Sequence, residues 1–215
     1  PLRGLRMLIN EMFLSIQGEG RTMGLPTVFV RLSGCNLDCH WCDTRYASEG
    51  GSEMSVEDVL SEVNGKGTRH VCLTGGEPLL SEGTPELVIR LLEKGKHVTL
   101  ETNGSLPITG LPDHPELLIS LDYKCPSSGM EDRMLLENLD HLRPKDQLKF
   151  VVADEKDLGR AEEVLRERCP NCPVIFTPVG GLTLAPVVEF VLKRNLEVRV
   201  LPQLHKIIWG ERRGV

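Results

Sequence analysis

What the chain lacks narrows it first. Across 215 residues no run approaches the ~18 consecutive apolar residues that a membrane span needs, so no membrane partner is expected. Lys and Arg number 25 against 31 Asp and Glu, a net charge of −6. The cationic excess that builds nucleic-acid grooves is missing, and no nucleic-acid partner is expected either. The first residues carry neither the apolar core nor the small-residue cleavage site of a secretory signal. There is no inter-domain linker, internal repeat or low-complexity tract, and the length suits one domain over 1–215 with a substantial core. The seven cysteines are an odd number, which fits a reducing cytoplasm better than a disulfide framework.

Three of those cysteines organise the rest. The run Gly34 to Thr44 places Cys35, Cys39 and Cys42 in a C-x3-C-x2-C spacing on a short polar loop. Thiolates so spaced bind soft metal, either zinc or an iron–sulfur cluster. Structural zinc and ordinary four-iron clusters want four protein ligands, and no neighbouring cysteine supplies the fourth. Three ligands around a four-iron cluster leave one iron open to a small molecule. The other readings are incidental cysteines, or a zinc knuckle completed by His40.

Around this loop the chain reads as strand and helix in turn. Leu8 to Phe13 is an apolar strand, Ser15 to Gly20 a polar turn, and Thr27 to Leu32 a β-branched strand feeding the loop. Ser55 caps a helix, with Asp58 three residues on and Val59, Leu60 and Val63 as its apolar positions. Strand Arg69 to Thr74 ends in Gly75-Gly76-Glu77-Pro78. Thr84 then reads as the cap of a helix carried by Leu87, Val88, Leu91 and Leu92. Strands follow at His97–Thr102, Leu117–Asp122, Gln147–Val152, Val174–Thr177 and Glu197–Leu201, with helices at 133–142, 156–168 and 186–194. Such repetition implies a parallel sheet. With about six core strands, where a closed barrel of this type has about eight, it predicts an α/β fold, a partial, open (β/α) barrel.

The unusual residues fall just after strand C-termini: the cysteine loop, Gly75 to Pro78, Glu101 to Gly104 and Asp122 to Gly129. Sites in parallel (β/α) architectures gather on that rim. Paired glycines let the backbone approach a polar ligand closely, although an ordinary Gly-Pro turn would read the same. Together the cysteine spacing and the Gly-Gly-Glu-Pro element resemble the radical S-adenosylmethionine (SAM) superfamily, in which SAM chelates the open iron and the glycine element meets its amino group.

A narrower resemblance rests on Gln17-Gly18-Glu19-Gly20, Arg31, Cys42-Asp43-Thr44, Thr74, Glu101-Thr102-Asn103-Gly104 and Gln203-Leu204-His205-Lys206. These are similar to the 7-carboxy-7-deazaguanine synthase family. That resemblance implies a lyase that uses SAM, a [4Fe–4S] cluster and Mg²⁺ to contract the ring of 6-carboxy-5,6,7,8-tetrahydropterin, releasing ammonia, on the route to deazapurines such as queuosine. It implies cluster ligation by Cys35, Cys39 and Cys42, Mg²⁺ at Thr44, and SAM at Gly76, Glu101, Asp122, Tyr123 and Lys124. It implies pterin contacts from Ile16, Gln17, Gly18, Glu19, Arg31 and Thr74, with Arg31 on the carboxylate through its planar fork and Glu19 accepting from the amino-pyrimidine edge. An electron donor such as flavodoxin or ferredoxin and a homodimer covering the exposed sheet edge are also expected. The chain departs from the family where it has Asp122-Tyr123-Lys124 and Thr177-Pro178.

Other residues read as bystanders. Cys169-Pro-Asn-Cys172 ends a helix far from the motif loops, Cys72 alternates with apolar strand neighbours as a core residue would, and nothing marks Cys125 as a ligand. His70, His97, His114 and His141 read as surface or satisfied histidines, and Lys145 to Lys149 as a solvated run. Two competing functions remain: a glycyl-radical activating enzyme of the same superfamily, and a zinc-stabilised binding module.

Overall fold

The structure, a computed structural model, describes residues 5–215. Strand β1 (Arg6–Ile16) turns back into β2 (Pro26–Leu32), which pairs with it antiparallel and delivers the cysteine loop. Strand β3 (Ser52–Ser55) then pairs antiparallel with the other side of β1. The alternation that follows is α1 (Val56–Gly65), β4 (His70–Gly75), α2 (Thr84–Glu93), β5 (His97–Thr102) and β6 (Leu117–Lys124). It continues through α3 (Asn138–His141), β7 (Gln147–Val152), α4 (Glu155–Arg168), β8 (Val174–Pro178), α5 (Ala185–Arg194), β9 (Arg199–Val200) and α6 (Leu204–Trp209). The sheet order is β3-β1-β2-β4-β5-β6-β7-β8-β9, and every pairing from β2 to β9 is parallel. The outer strands β3 and β9 do not meet, so the barrel stays open.

Alternation along each strand sorts the side chains between two faces. Val30, Leu32, Leu73, Leu100, Leu121, Leu148, Phe150 and Phe176 point one way. There they join Val59 and Val63 of α1, Leu87 and Leu91 of α2, and Leu158, Ala161 and Val164 of α4 in one buried cluster. Leu87 and Leu91 are wholly buried, and truncating either to Ala costs about 2–5 kcal/mol. The opposite, inner face is polar along its rim. Glu11 lies opposite Arg31, Arg31 opposite Thr74, Glu101 opposite Ser120 and Asp122 opposite Lys149. Cys72 is fully buried as expected, but on this inner face, against Glu101 and Gln17.

Several elements differ from the sequence reading, each for a local reason. β3 is Ser-Glu-Met-Ser, too polar to announce a strand, and forms because the edge of β1 is free to pair. Gly83, not Thr84, occupies the cap of α2, and the Thr84 hydroxyl instead donates to Pro78 O at 2.6 Å. The helix expected at 133–142 shrinks to a single turn, because the Asn138 side chain is committed to Gly104 O, Leu106 O and Ile108 N, a competition typical of Asn. β9 is only two residues long, and α6 follows it where the sequence showed only a motif.

Candidate active site

The cysteine loop is moored on several sides. Gly34 N donates to Ala47 O (2.9 Å), Glu77 N to Gly34 O (2.8 Å) and His40 N to Ser128 O (3.0 Å). The Trp41 indole donates to Ser127 Oγ at 3.0 Å, and Asn103 Nδ2 lies 3.8 Å from Cys35 Sγ. Cys39 is buried, Cys35 half-buried and Cys42 exposed, all as free thiols, and all three line one cavity of about 650 Å³. Burial pushes the Cys39 thiol up, while the Lys124 ammonium pulls the other way. A wider groove of about 1000 Å³ beside Arg6, Glu53 and Leu80 holds none of these groups.

Gly75 and Gly76 lie directly on this loop. Gly75 has φ +141°, and a β-carbon on Gly76 would collide with the Gly34 carbonyl and Cys35. Only glycine allows that approach. Glu77 beside them is buried, and its carboxylate accepts from Asn103 N (2.7 Å), Thr102 Oγ1 (2.9 Å) and Leu79 N (3.0 Å). Burial raises its pKa and these donors oppose the rise. Glu77 therefore clamps the glycine turn to the end of β5.

The inner floor is an ionic network. Lys149, which is 5% exposed, donates to Glu19 and stands 3.2 Å from Asp122 Oδ1. Burial works against its charge, but Asp122, Glu19 and Glu101 together hold its pKa well above the ordinary lysine value. Glu19 also accepts from Gln203 Nε2 at 2.7 Å. Glu101 accepts from Thr74 Oγ1 (2.9 Å) and Gln17 Nε2 (3.4 Å); burial raises its pKa, with Lys149 opposing. Asp122 accepts from Lys124 Nζ at 3.3 Å through Oδ2, while its buried Oδ1 faces the Lys149 ammonium as an ion pair without hydrogen-bond geometry.

On the β1 side, Arg31 Nε donates to Glu11 at 2.7 Å, and Tyr46 OH donates to the same oxygen at 2.8 Å. Among the described residues no protein acceptor takes the terminal Arg31 nitrogens. Burial opposes the Arg31 charge, yet Tyr46 and Glu11 keep its pKa raised, and burial pushes Tyr46 up to about 12. Thr44 donates to Asp43 at 2.8 Å. Although burial works to raise the Asp43 pKa, Thr44, Lys206 and His205 hold it below the usual carboxylate range.

Ile16, Gln17, Gly18, Glu19, Arg31, Thr44, Thr74, Gly76, Glu101, Asp122 and Lys124 all line the cavity with the three cysteines. Tyr123 does not join them. Alternation turns its ring into the outer core against Phe150, with its hydroxyl donating to Glu131, so no side-chain contact with a ligand is available to it. Lys149 corrects the sequence reading outright, because the end of the supposed solvated run is the most enclosed charge on the floor. Its signal was the alternation Gln147, Lys149, Val151 within β7. His205, whose ring abuts Gly18, and Tyr46 also line the cavity. Cys169 and Cys172 sit before the start of β8, at the opposite end of the strands from the cavity. Burial drives the Cys125 thiol far up, and its sulfur lies 4.0 Å from Asp157 O.

Three thiols facing a common cavity, with a glycine turn that admits a ligand to the backbone beside them, fit a site-differentiated iron–sulfur cluster. Among the described residues no three Cys, His, Asp or Glu side chains converge as around a single ion, the arrangement a zinc knuckle needs, and His40 lies against Gly129. An open parallel sheet with this loop on its rim defines a radical SAM protein, and the profile described as "Radical SAM superfamily" matches residues 29–190. The family implies a [4Fe–4S] cluster and SAM. Two curated relatives named 7-carboxy-7-deazaguanine synthase are similar over nearly the whole chain. The one from Methanospirillum hungatei is 41% identical, covering 94% of this chain and 85% of the relative. The one from Thermoplasma acidophilum is 39% identical, covering 97% and 100%. The crystal structure of QueE from Escherichia coli superposes with a TM-score of 0.76 at 26% identity, covering 93% of this chain and 95% of that one. Streptococcus suis SuiB bound to S-adenosylmethionine shares the fold at a TM-score of 0.58 and 14% identity, over 78% of this chain and 47% of that one. This chain belongs to the 7-carboxy-7-deazaguanine synthase family.

Proposed function

We propose that this chain is a radical SAM lyase that converts 6-carboxy-5,6,7,8-tetrahydropterin into 7-carboxy-7-deazaguanine with loss of ammonia. The observation that carries this reading is the pairing, in one cavity, of three thiols with a polar floor and an arginine whose terminal nitrogens are unclaimed. Cys35, Cys39 and Cys42 would hold the four-iron cluster, which would supply the one-electron reduction of SAM, so the hard chemistry would belong to the cofactors and the protein's part is to position them.

The chain's own residues bind and orient. Gly76 offers backbone to SAM, and Glu101, Lys124 and the Asp122 carboxylate, paired with Lys149, flank the same space. Arg31 presents its free edge to the pterin carboxylate as a paired, charge-assisted contact. Gln17, Gly18, Glu19, Ile16 and Thr74 border the ring, and Glu19, fixed by Lys149 and Gln203, accepts from its amino edge. The Thr44 hydroxyl beside the ionised Asp43 suits Mg²⁺, which dehydrates reluctantly and keeps few protein ligands. The electron must come from outside, from a small carrier such as flavodoxin or ferredoxin in a reducing cytoplasm. The short outer strand β9 leaves an edge that a second copy would cover.

Product mass after anaerobic turnover with SAM, reductant and 6-carboxytetrahydropterin tests the reading. 7-Carboxy-7-deazaguanine is the expected product. SAM cleavage that stays unproductive with every pterin would sink it, and would return the glycyl-radical activase to consideration.

A further inference from the structure

Trp41 stands between two of the cysteines, Cys39 and Cys42, and lines the cavity. Where its ring sits is therefore tied to where those two thiols point. Its only anchor among the described hydrogen bonds is the Nε1–H donation to Ser127 Oγ, 3.0 Å, across 86 residues of chain. That hydroxyl has one proton to give, and it gives it to Asp157 Oδ2. The direction of the chain is thus enforced: indole to hydroxyl to carboxylate.

Asp157 is completely buried. Its carboxylate also accepts from Ser127 N at 2.9 Å and from Ala153 N at 2.8 Å. No cation pairs with it among the described residues, so its charge is balanced by these donors and by the first turn of α4, where a negative group is favoured. A charged terminus strengthens the hydrogen bonds upstream of it. The Pro126–Ser128 turn that carries Ser127 also receives His40 N at Ser128 O, 3.0 Å, and the Lys124 ammonium lies 5.6 Å over the Trp41 ring. Neither Ser127 nor Asp157 borders the cavity.

We propose that Asp157, acting through the Ser127 hydroxyl, is the positioning residue of the cluster loop: the relay fixes the Trp41 ring between Cys39 and Cys42 and so sets the shape of the wall against which SAM binds. This rests on the assignment of the three cysteines as cluster ligands, and the test keeps the two apart.

Ser127→Ala, Ser127→Thr, Asp157→Asn, Trp41→Phe and the Ser127→Ala/Trp41→Phe pair are reconstituted anaerobically. Iron per chain, the SAM concentration for half of the change in the reduced cluster's paramagnetic resonance spectrum, and 5′-deoxyadenosine formed per product are measured in each. Ser127→Ala should keep wild-type iron. It should need roughly tenfold more SAM, the loss of one charge-assisted hydrogen bond, and form several-fold more 5′-deoxyadenosine per product. Ser127→Thr, which keeps the hydroxyl, should restore both. In the Trp41→Phe background, Ser127→Ala should add nothing. Wild-type SAM titration and coupling in Ser127→Ala overturn the relay, and so does a full additional loss in the Trp41→Phe background, which marks a general structural role. Should Asp157→Asn fail to fold, the Ser127 set decides alone. A cluster retained by Cys39→Ala would instead remove the ligand assignment, whatever the Ser127 variants do.

Discussion

Lys149 and Phe150 are neighbours in β7, almost equally buried, and held by opposite physics. Phe150 faces the helices and packs against Tyr123 and Phe176. Lys149 faces the cavity and is held by Glu19, Asp122 and Glu101. The outer face is apolar and tolerates similar shapes, whereas the inner face is a set of charges that are tolerable only together. The same sheet thus carries stability on one side and recognition on the other, and the contrast can be attacked from either.

The largest effect should come from the rim of the inner face. Cys35→Ala, Cys39→Ala or Cys42→Ala should each abolish cluster retention and SAM cleavage, while Cys169→Ala and Cys172→Ala keep both; iron analysis and colour read this directly. A brown, SAM-cleaving Cys39→Ala protein would defeat the assignment. Next come Lys149→Met and Phe150→Ala, each expected to cost about 3–5 kcal/mol in urea unfolding, one by stranding buried carboxylates and the other by opening a cavity. Adding Glu19→Gln should recover part of the Lys149→Met loss and none of the Phe150→Ala loss. Equal behaviour of the two double variants would erase the distinction between the faces.

Smaller effects sharpen it. Arg31→Lys keeps the charge and loses the fork, so affinity for 6-carboxytetrahydropterin should fall by about one to two decades, roughly 1.5–3 kcal/mol. An analogue lacking the carboxylate should lose much less. Anaerobic titration of both ligands measures it, and equal losses would mean that Arg31 does not read the carboxylate. Least severe, Thr44→Val should raise the Mg²⁺ concentration needed for turnover and leave iron content unchanged; an unaltered requirement removes Thr44 from the metal site.

What was legible in the sequence had local signatures. The cysteine spacing, the paired glycines and the β-branched strands each declare themselves within a few residues, and the open parallel sheet followed from their order. Lys149 was hidden because its meaning is non-local. It reads as the end of a charged surface run, and its partner Glu19 lies 130 residues away. Tyr123 failed in the opposite way: it belongs to a legible loop motif, but strand alternation carries through that motif and turns its ring outward. The helix at 133–142 was lost to Asn138, whose amide serves a distant loop, something residue periodicity does not record.

The mooring of the cysteine loop has a consequence in time. The ribosome makes the three thiols first, and Ala47, Glu77 and Asn103, which hold the Gly34–Cys35 side of their loop, soon after; the anchor of the Trp41 side, Ser127, follows Trp41 by 86 residues, and Asp157 later still. At roughly 5–20 residues per second the Trp41 side of the loop waits about 4–17 s for Ser127, and β7 cannot bring Lys149 to Glu19 any sooner. Iron delivered to the nascent chain meets a loop held on one side only, with neither the Ser127 anchor nor the Lys149 floor in place, so loading belongs after synthesis. Chains stalled on the ribosome before residue 120 should accordingly retain no more iron than stalled chains carrying Cys39→Ala.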